Sequence, residues 1–303
     1  MATRFEIVLH GDNPHSLRAA GEEALDEISR IESQLSLYRP DSEVARLNRE
    51  AHQRAVRVTP GLFKLLEQAR DLSRETNGAF DITIAPLVRC WGFMGDTGSM
   101  PEPSAIEEAR AKVGMRLIEL DSEKLTVRFA REGVMLDFGA IGKGYAIDRA
   151  ADLLSEAGVT SVLIHGGTST AYAFGRQPDD SRWKIAVTSP ENDASAPPLT
   201  VVELENESLS VSAVWGRSFQ AGEKTYGHII DPRTGAPADN ALLSAVALPG
   251  ATETDALSTA LLTAPELMNE FANRRSAIRC LVVRGASQAP RISAHGLAVA
   301  ESF

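Results

Sequence analysis

The sequence is poor in features that mark secreted, membrane and nucleic-acid-binding proteins. Only two cysteines, Cys90 and Cys280, occur in 303 residues. Two cysteines cannot build a disulfide framework, and their apolar neighbours favour two buried reduced thiols. No apolar run reaches the ~18 residues of a membrane span. Positive charge is scarce, because 31 Lys and Arg face 41 Asp and Glu, for a net charge of −10. This balance argues against a nucleic-acid-binding surface and against polybasic docking on anionic membrane.

Two further absences narrow the class of protein. The first ten residues hold no long apolar stretch. We therefore expect that the chain has neither a signal peptide nor a lipobox and that the protein is cytoplasmic. The six histidines are scattered without the spacing of a zinc site. What remains is a globular composition, with 43% hydrophobic and 24% charged residues. A chain of this length forms one large domain or two smaller ones.

Helix and strand patterns are mixed along the chain without strict alternation. This order predicts an α+β fold in preference to a doubly wound α/β fold. The predicted helices include Ser16–Leu37, Pro60–Thr76, Tyr145–Ala157, a segment starting at Ala256, and Pro265–Arg275. The predicted strands include Arg4–His10, two within Arg116–Ala130, Val134–Phe138, Ser161–Ile164, Ala171–Phe174, Lys184–Thr188, further strands within Thr200–Val214, and Arg279–Val283.

The densest chemical signal is the segment Asp137–Asp148, which reads DFGAIGKGYAID. A predicted strand ends at Asp137, a glycine-rich turn follows, and a helix begins. Glycines allow a close backbone approach, a helix N-terminus offers unpaired N–H groups, and Lys143 adds a full charge, which together suit a phosphate or pyrophosphate. The spacing fits neither the Walker loop nor the dinucleotide fingerprint. The alternative is a tight strand-to-helix turn without a ligand.

A second segment, His228–Gly235, reads HIIDPRTG. Asp, Pro and Gly at these positions are typical of a tight turn. His228 precedes that turn at the end of a predicted strand, where an imidazole can act as a base or bond a ligand. The alternative is a structural turn with a hydrogen-bonded histidine.

A third segment, Glu253–Ala260, places Asp255 and Thr259 four residues apart. In a helix these two side chains lie on one face, one turn apart. A carboxylate and a hydroxyl are hard oxygen ligands, suited to Mg²⁺ that also binds phosphate. The alternative is a helix start without metal, in which Thr254 is the N-cap.

A fourth segment, His165–Ala171, is a glycine-rich loop of the kind that lines a ligand. It bears a weak likeness to the nucleophile elbow of hydrolases around Ser169, but Ala171 replaces the last glycine and a strand is predicted where a helix should follow.

Further short segments precede these four in the chain: Ser36–Glu43, Leu47–Asn48, Thr76–Thr83, Pro86–Leu87 and Trp91–Phe93. In this order and spacing, the segments resemble the ApbE family, flavin transferases also called FAD:protein FMN transferases. The resemblance runs from about Met1 to at least Thr263. It implies one ApbE-like domain over residues 1–303, or two intertwined α+β subdomains. The implied architecture is T-fold-like, with mixed or antiparallel sheets, flanking helices and an FAD cleft between the halves.

The activity that the resemblance implies is Mg²⁺-dependent transfer of FMN from FAD to a Thr or Ser hydroxyl of a target flavoprotein, with release of AMP. We then expect a cytosolic acceptor flavoprotein as the partner. We expect no nucleic-acid partner and no membrane anchor in this chain. Some members of the family mainly hydrolyse FAD to FMN and AMP.

The resemblance also assigns residues. It implies that Asp255, Thr259 and the backbone carbonyl of Ala140 bind the metal. Asp255 and His228 are the predicted catalytic residues. Our hypothesis is that His228 or a nearby carboxylate receives the proton of the acceptor hydroxyl. Tyr38 is implied to stack on the flavin or adenine rings. The full set of implied FAD-binding residues is Met1, Tyr38, Ala79, Phe80, Asp81, Asp137, Lys143 and Ile229.

Two segments depart from the family pattern. In His165-Gly166-Gly167-Thr168 the family's asparagine is missing and Thr168 stands in place of its acidic residue. In the other segment Ala213 stands where the family has glycine. These departures keep two alternatives open: an FAD pyrophosphatase, and an FAD-binding protein with impaired catalysis.

Overall fold

The computed structural model describes residues 3–95, 98–188, 197–222, 224–285 and 290–299. The chain divides into two compact units, each assembled from separate stretches of sequence. Unit one comprises Met1–Glu32, Ile141–Ala213 and Asn240–Phe303, and unit two comprises Ser33–Ala140 and Val214–Asp239. One boundary falls inside the glycine-rich turn, between Ala140 and Ile141. The assignment of residues 1–303 to one functional domain stays a prediction.

Unit one is built on a seven-stranded sheet in the order β1-β5-β6-β9-β12-β13-β14, and each pair of neighbouring strands is antiparallel. A separate antiparallel ribbon is formed by β7 and β8. The strands are β1 (Phe5–His10), β5 (Ser161–Gly166), β6 (Thr170–Phe174), β7 (Trp183–Val187), β8 (Thr200–Leu204), β9 (Glu207–Ala213), β12 (Leu243–Leu248), β13 (Arg279–Arg284) and β14 (Arg291–His295). The helices are α1 (Pro14–Leu35, whose last turn belongs to unit two), α6 (Gly142–Glu156), α7 (Ala251–Thr263) and α8 (Leu267–Arg274).

Burial in unit one follows the hydrophobic pattern of the sequence. Every residue of β12, which lies inside the sheet, is buried. In α1 the buried positions Ala20, Ala24, Ile28 and Ile31 recur every three or four residues, so that one face of the helix is apolar. Helix α7 packs on β9 and β12, and α6 packs on β5, β6 and α7. These contacts place the first turns of α6 and α7 side by side.

Unit two contains shorter elements. Its helices are α2 (Glu43–Glu50), α3 (Pro60–Glu75), α4 (Ala85–Cys90) and α5 (Pro103–Arg110), with short 3₁₀ turns at Phe93–Gly95 and Met115–Leu117. A three-stranded antiparallel sheet in the order β2-β4-β3 is formed by β2 (Val56–Arg57), β3 (Ile118–Asp121) and β4 (Thr126–Phe129). A hairpin is formed by β10 (Ser218–Ala221) and β11 (Lys224–Gly227).

Local sequence signals set several of these boundaries. The Ser42 side chain caps α2 by accepting a hydrogen bond from the Ala45 N–H at 2.9 Å. Helix α3 begins at Pro60, a favoured first-turn residue. It ends before Asn77 and Gly78, whose φ angles of 51° and 78° are left-handed. The Gly78 N–H then bonds to the Ser73 carbonyl at 2.8 Å, which closes the helix end.

The predicted α+β class with antiparallel sheets and flanking helices is confirmed. Two local predictions are wrong. Val134–Phe138 is extended but forms only an isolated bridge, between Met135 and Ile84. Helix α7 begins at Ala251 and not at Ala256, so Thr254 lies inside the helix and does not cap it. The strand predicted before His228 is β11, but its hairpin partner β10 was not predicted.

Cys280 is buried, as expected, whereas Cys90 is only half-buried. Within the residues that the structure describes, no helix combines the length and the apolar character needed to cross a membrane.

Candidate active site

The carboxylate of Asp255 is the centre of a polar cluster in unit one. The side chain is only about 5% exposed. Its Oδ1 atom lies 3.2 Å from Nζ of Lys143 and accepts a longer hydrogen bond, 3.4 Å, from the Thr170 hydroxyl. Its Oδ2 atom accepts a hydrogen bond from the Gly144 N–H at 3.1 Å. The structure therefore brings two predicted segments together, the glycine-rich turn and the helix that carries Asp255 and Thr259.

Hydroxyl groups extend this cluster between α7 and the sheet. The Thr259 hydroxyl lies 3.2 Å from the backbone carbonyl of Asp255 and 3.2 Å from the Ser212 hydroxyl. Ser208 and Ser210, on the same face of β9, contact the Thr254 hydroxyl at 3.0 and 2.9 Å. These small side chains allow α7 to pack closely on the sheet while each hydroxyl keeps a hydrogen-bonding partner.

The glycine-rich turn permits a close approach of two helices, whereas the predicted close approach to a ligand stays a prediction. Helix α6 begins at Gly142, and its N-cap residue, Ile141, supplies no side-chain hydrogen bond. A Cβ atom at Gly144 would lie only 2.1 Å from the Ala251 carbonyl oxygen. Gly144 is therefore required for α6 to approach α7, a role that the sequence alone did not indicate. Lys143, one residue earlier, is partly buried, and its ammonium group faces Asp255.

Unit two brings the other predicted segments together. The Asp137 N–H donates to the Ile82 carbonyl at 2.7 Å, so the segment Thr76–Thr83 lies beside the extended residues 134–138. Asn48 holds the same extended segment, because its side chain donates to the Leu136 carbonyl at 3.0 Å and accepts from the Leu136 N–H at 2.8 Å. Asp137 in turn accepts a hydrogen bond from the Gly139 N–H at 2.8 Å, which fixes the turn that follows.

Asp81, a predicted FAD-binding residue, has a hydrogen-bonded carboxylate inside unit two. Oδ1 accepts from the N–H and the hydroxyl of Thr83, at 2.8 and 2.6 Å. Oδ2 accepts from the Met115 N–H at 2.9 Å and from the Ser73 hydroxyl at 3.3 Å. Burial raises the pKa of Asp81 above its ordinary value, although these hydrogen bonds lower the pKa. The geometry gives Asp81 a structural role, and its contact with FAD stays a prediction.

His228 follows β11 and is half-buried. Its Nδ1 atom lies 3.1 Å from the Arg217 carbonyl oxygen. Since a carbonyl only accepts hydrogen bonds, this contact favours the tautomer with the proton on Nδ1, which leaves the lone pair of the neutral ring on Nε2. The ring of Phe93 meets the imidazole edge-on, with centroids 6.5 Å apart. This arrangement is suited to a base that acts through Nε2.

Aromatic side chains anchor the hairpin that precedes His228. Tyr226 of β11 stacks on Trp91 and on Phe219 of β10, with ring centroids 5.6 and 5.4 Å apart. Trp91 also donates its indole N–H to the Gly235 carbonyl at 2.8 Å. The predicted segments Trp91–Phe93 and His228–Gly235 are therefore tied together, and Asp231 completes the turn through a 2.8 Å ion pair with Arg233.

The remaining predicted residues differ in exposure. Tyr38 lies between α1 and α2 and is 60% exposed, so its ring can accept a stacking partner. Ala79 and Phe80 are buried, and Ile229 is half-buried. Ala140 is a half-buried residue of the glycine-rich turn. Met1 lies outside the described residues. Of the two departures from the family pattern, Thr168 is exposed in the turn after β5, and Ala213 ends β9.

Asp148 lies where α6 meets α7, beside the cluster around Asp255, and its position in the sequence predicts no role for it. It projects from α6, and its carboxylate accepts hydrogen bonds from the N–H groups of Ala251 and Thr252 at 2.7 and 2.8 Å, in the first turn of α7. The sequence did contain an indirect signal, because Gly250, the N-cap residue of α7, has no side chain that could cap the helix.

The oxygen ligands around Asp255 suit Mg²⁺, which also binds substrate phosphates, better than they suit a metal ion held by protein side chains alone. Across the described ranges, no group of three or more His, Cys, Asp or Glu side chains could hold an ion. A single buried carboxylate with a nearby hydroxyl instead matches the way in which Mg²⁺ binds, through one or two carboxylates plus substrate phosphates. Asp255 and Thr259 are the residues of unit one that could serve as these ligands.

The chain is similar in sequence to a known family of proteins. The model of the ApbE family matches residues 1–282. A FAD:protein FMN transferase of Treponema pallidum is 32% identical over 258 residues, which cover 80% of this chain and 71% of that protein. A FAD:protein FMN transferase of Haemophilus influenzae is 29% identical over 276 residues, which cover 88% of this chain and 79% of that protein.

Solved structures show the same fold. The ApbE protein of Thermotoga maritima superposes with a TM-score of 0.85 at 26% identity, covering 96% of this chain and 92% of that one. The apo form of the flavinyl transferase ApbE from Pseudomonas stutzeri has a TM-score of 0.81 at 27% identity, covering 97% and 95%. Because the family model spans most of the chain and the fold extends over nearly all of it, this protein belongs to the ApbE family.

Proposed function

We propose that this protein transfers FMN from FAD to a hydroxyl group of a protein acceptor and releases AMP. Its relatives are named FAD:protein FMN transferases. The observation that carries the proposal is the cluster in which Asp255 meets both Lys143 and the first turn of α6. A buried carboxylate, an ammonium group and a helix N-terminus form a site for a divalent cation and the phosphates that it accompanies.

In this proposal Asp255 and Thr259 hold Mg²⁺, and the main-chain carbonyl of Ala140 stays a predicted further ligand. When bound, the metal would neutralise charge on the pyrophosphate oxygens. Lys143 lies 3.2 Å from Asp255, so its ammonium group is placed to bind a phosphate beside the carboxylate. The first turn of α6 favours negative charge at the same place.

Residues of unit two are proposed to bind the nucleotide and to move the proton. Tyr38 offers an exposed ring for stacking, and Asp137, Ile229, Ala79 and Phe80 stay predicted FAD contacts. The acceptor hydroxyl oxygen forms a bond to the phosphorus on the FMN side, the bridging P–O bond breaks, and AMP leaves with the electron pair. His228, with its lone pair on Nε2, is the proposed base that takes the hydroxyl proton.

The test is to incubate the purified protein with FAD, Mg²⁺ and a flavoprotein fragment that carries an acceptor threonine. AMP and FMN are followed by chromatography, and the covalent flavin by fluorescence after denaturing electrophoresis. We expect AMP and adduct to appear together and EDTA to stop both. Free FMN without adduct would favour the pyrophosphatase, and tight FAD binding without AMP would favour a binding protein.

Replacing Asp255 tests the metal assignment directly. Loss of a hydrogen-bonding partner of a metal ligand typically lowers activity by ~10–100-fold. Because Asp255 is itself the proposed ligand, we expect Asp255→Asn to lower Mg²⁺-dependent turnover by more than this. Asp152→Asn is the matched control, because Asp152 lies on α6, is exposed, and pairs with Arg149. If Asp255→Asn kept metal-dependent turnover near that of the control, the assignment of Asp255 as a ligand would be wrong.

A further inference from the structure

Helices α6 and α7 both begin without a cap of their own. The N-cap residues are Ile141 and Gly250, and neither supplies a side-chain hydrogen bond. The first four N–H groups of a helix have no partner inside the helix and need one from elsewhere. In α6 one of these N–H groups, and in α7 two of them, bond to a carboxylate of the other helix.

Asp148 of α6 caps α7. Its two carboxylate oxygens accept one bond each from the N–H groups of Ala251 and Thr252, and the Thr252 hydroxyl donates to the same carboxylate. Ala251 and Thr252 are the first two residues of α7. Asp148 thereby fixes the start of the helix that carries Asp255 one turn later.

Asp255 of α7 caps α6 in return. Its Oδ2 atom accepts from the N–H of Gly144, the third residue of α6, at 3.1 Å. The absence of a side chain at Gly144 allows this contact, because a Cβ atom there would overlap the backbone of Ala251 and Thr252. The two carboxylates therefore form a reciprocal pair, in which each helix supplies the cap of the other.

We propose that Asp148 is a positioning residue for Asp255. By tying the first turn of α7 to α6, Asp148 holds Oδ2 of Asp255 on the Gly144 amide and directs Oδ1 toward the ammonium group of Lys143. This inference rests on the proposed function only for the identity of the ion that Asp255 binds. The reciprocal caps themselves are properties of the chain.

The test uses Asp148→Ala in the full-length protein, with two measurements. The first is hydrogen exchange of the Gly144 amide in the metal-free protein, which we expect to become faster by ~10-fold or more because local opening of the junction becomes easier. The second is the Mg²⁺ concentration for half-maximal FAD turnover, which we expect to rise ~10-fold while turnover at saturating Mg²⁺ stays within a few-fold. Asp152→Ala removes an exposed carboxylate of α6 that pairs with Arg149 and makes no cap, so it should change neither.

A second variant separates positioning from simple helix capping. Gly250 has extended φ and ψ angles of −99° and 129°, and a Cβ atom there meets only ordinary contacts. Gly250→Ser can therefore cap α7 locally. Added to Asp148→Ala, it should restore thermal stability but leave the Gly144 amide fast and the Mg²⁺ requirement high. If Asp148→Ala folds poorly, Asp148→Asn keeps one of the two amide bonds and should give intermediate values.

Two results would overturn the inference: an unchanged Gly144 exchange rate in Asp148→Ala, or complete recovery of both measurements by Gly250→Ser. A failure of the proposed function is distinct from these. In that case the wild-type protein would show no Mg²⁺-dependent turnover of FAD, while the exchange of Gly144 would still respond to Asp148→Ala.

Discussion

Asp81 shows how a residue predicted to bind a ligand can also hold its own unit together. Its carboxylate joins the end of α3, through Ser73, to the loop after α5, through Met115. Thr83 extends the network, because its hydroxyl accepts a hydrogen bond from the Gly114 N–H at 2.6 Å. The segment Thr76–Thr83 is therefore fixed by buried hydrogen bonds whether or not FAD touches it.

The raised pKa of Asp81 predicts a pH dependence of stability. At pH values between the pKa of Asp81 in the unfolded chain and its higher pKa in the folded chain, Asp81 carries more bound proton in the folded chain than in the unfolded chain. The contribution of Asp81 to the free energy of unfolding therefore falls as the pH rises from about 4, the usual pKa of an aspartate. Asparagine does not titrate, so we expect the free energy of unfolding of the wild type, minus that of Asp81→Asn, to decrease toward neutral pH.

Urea unfolding at several pH values between about 4 and 7 measures this difference. The control is Asp12→Asn, which changes an exposed aspartate of unit one. A difference that stays constant or increases with pH would show that burial does not control the titration of Asp81.

At the scale of elements, Asn48 holds the extended residues 134–138, which form an isolated bridge and not a strand. Its side chain makes two hydrogen bonds to the Leu136 backbone, at 3.0 and 2.8 Å. Removal of the side chain leaves both buried backbone groups without these partners. Each such loss costs about 1–3 kcal/mol, so we expect the two losses in Asn48→Ala to lower the free energy of unfolding by roughly 2–6 kcal/mol.

Chemical denaturation measures this loss, with Asn273→Ala as the control. Asn273 is exposed on α8, and surface substitutions usually change stability by less than about 0.5 kcal/mol. If Asn48→Ala matched the control, the two hydrogen bonds would not hold the segment that carries Asp137.

The close approach of α6 and α7 predicts a second effect at this scale. An alanine Cβ at position 144 would lie 2.1 Å from the Ala251 carbonyl oxygen, so the helices must separate. We expect Gly144→Ala to lower the free energy of unfolding by about 1–3 kcal/mol, the usual cost of overpacking. Gly95→Ala is the control, because its Cβ would meet no atom of the described structure within 4 Å. Equal stability of the two variants would contradict the close approach.

Local sequence signals predicted much of the secondary structure. The start of α3 at Pro60 and its end before Asn77 depend on neighbouring residues, as do the strands β3 and β4 around their turn. Prediction failed where the partner is distant in sequence. The segment Val134–Phe138 has the composition of a strand, but Asn48 and Ile82 supply its hydrogen bonds. Helix α7 starts five residues earlier than predicted, because its cap comes from Asp148, 103 positions before Ala251.

The candidate site shows the same division. Spacing alone placed Asp255 and Thr259 one turn apart on a helix, and the structure agrees. The contacts of Asp255 with Lys143, Gly144 and Thr170 could not be read from spacing, because two other elements, α6 and β6, supply them. Asp148 went unrecognised for the same reason.

At the scale of the whole molecule, the chain interleaves two units, each with its own part of the candidate chemistry. Unit one holds the buried carboxylate of Asp255, and unit two holds His228 and the exposed ring of Tyr38. The family match extends through residues 1–282 and so includes the stretches that carry both parts. The central claim is that this chain moves a flavin nucleotide from FAD onto a protein.

The ratio of AMP to covalent flavin on an acceptor protein tests this claim most directly. The protein, FAD and Mg²⁺ are incubated with an acceptor fragment, and AMP is quantified by chromatography while the intact mass of the fragment reports the adduct. We predict one AMP for each FMN attached, and no adduct when the acceptor threonine is replaced by valine or when EDTA is present. AMP released without any adduct, or an adduct formed without AMP, would contradict the account.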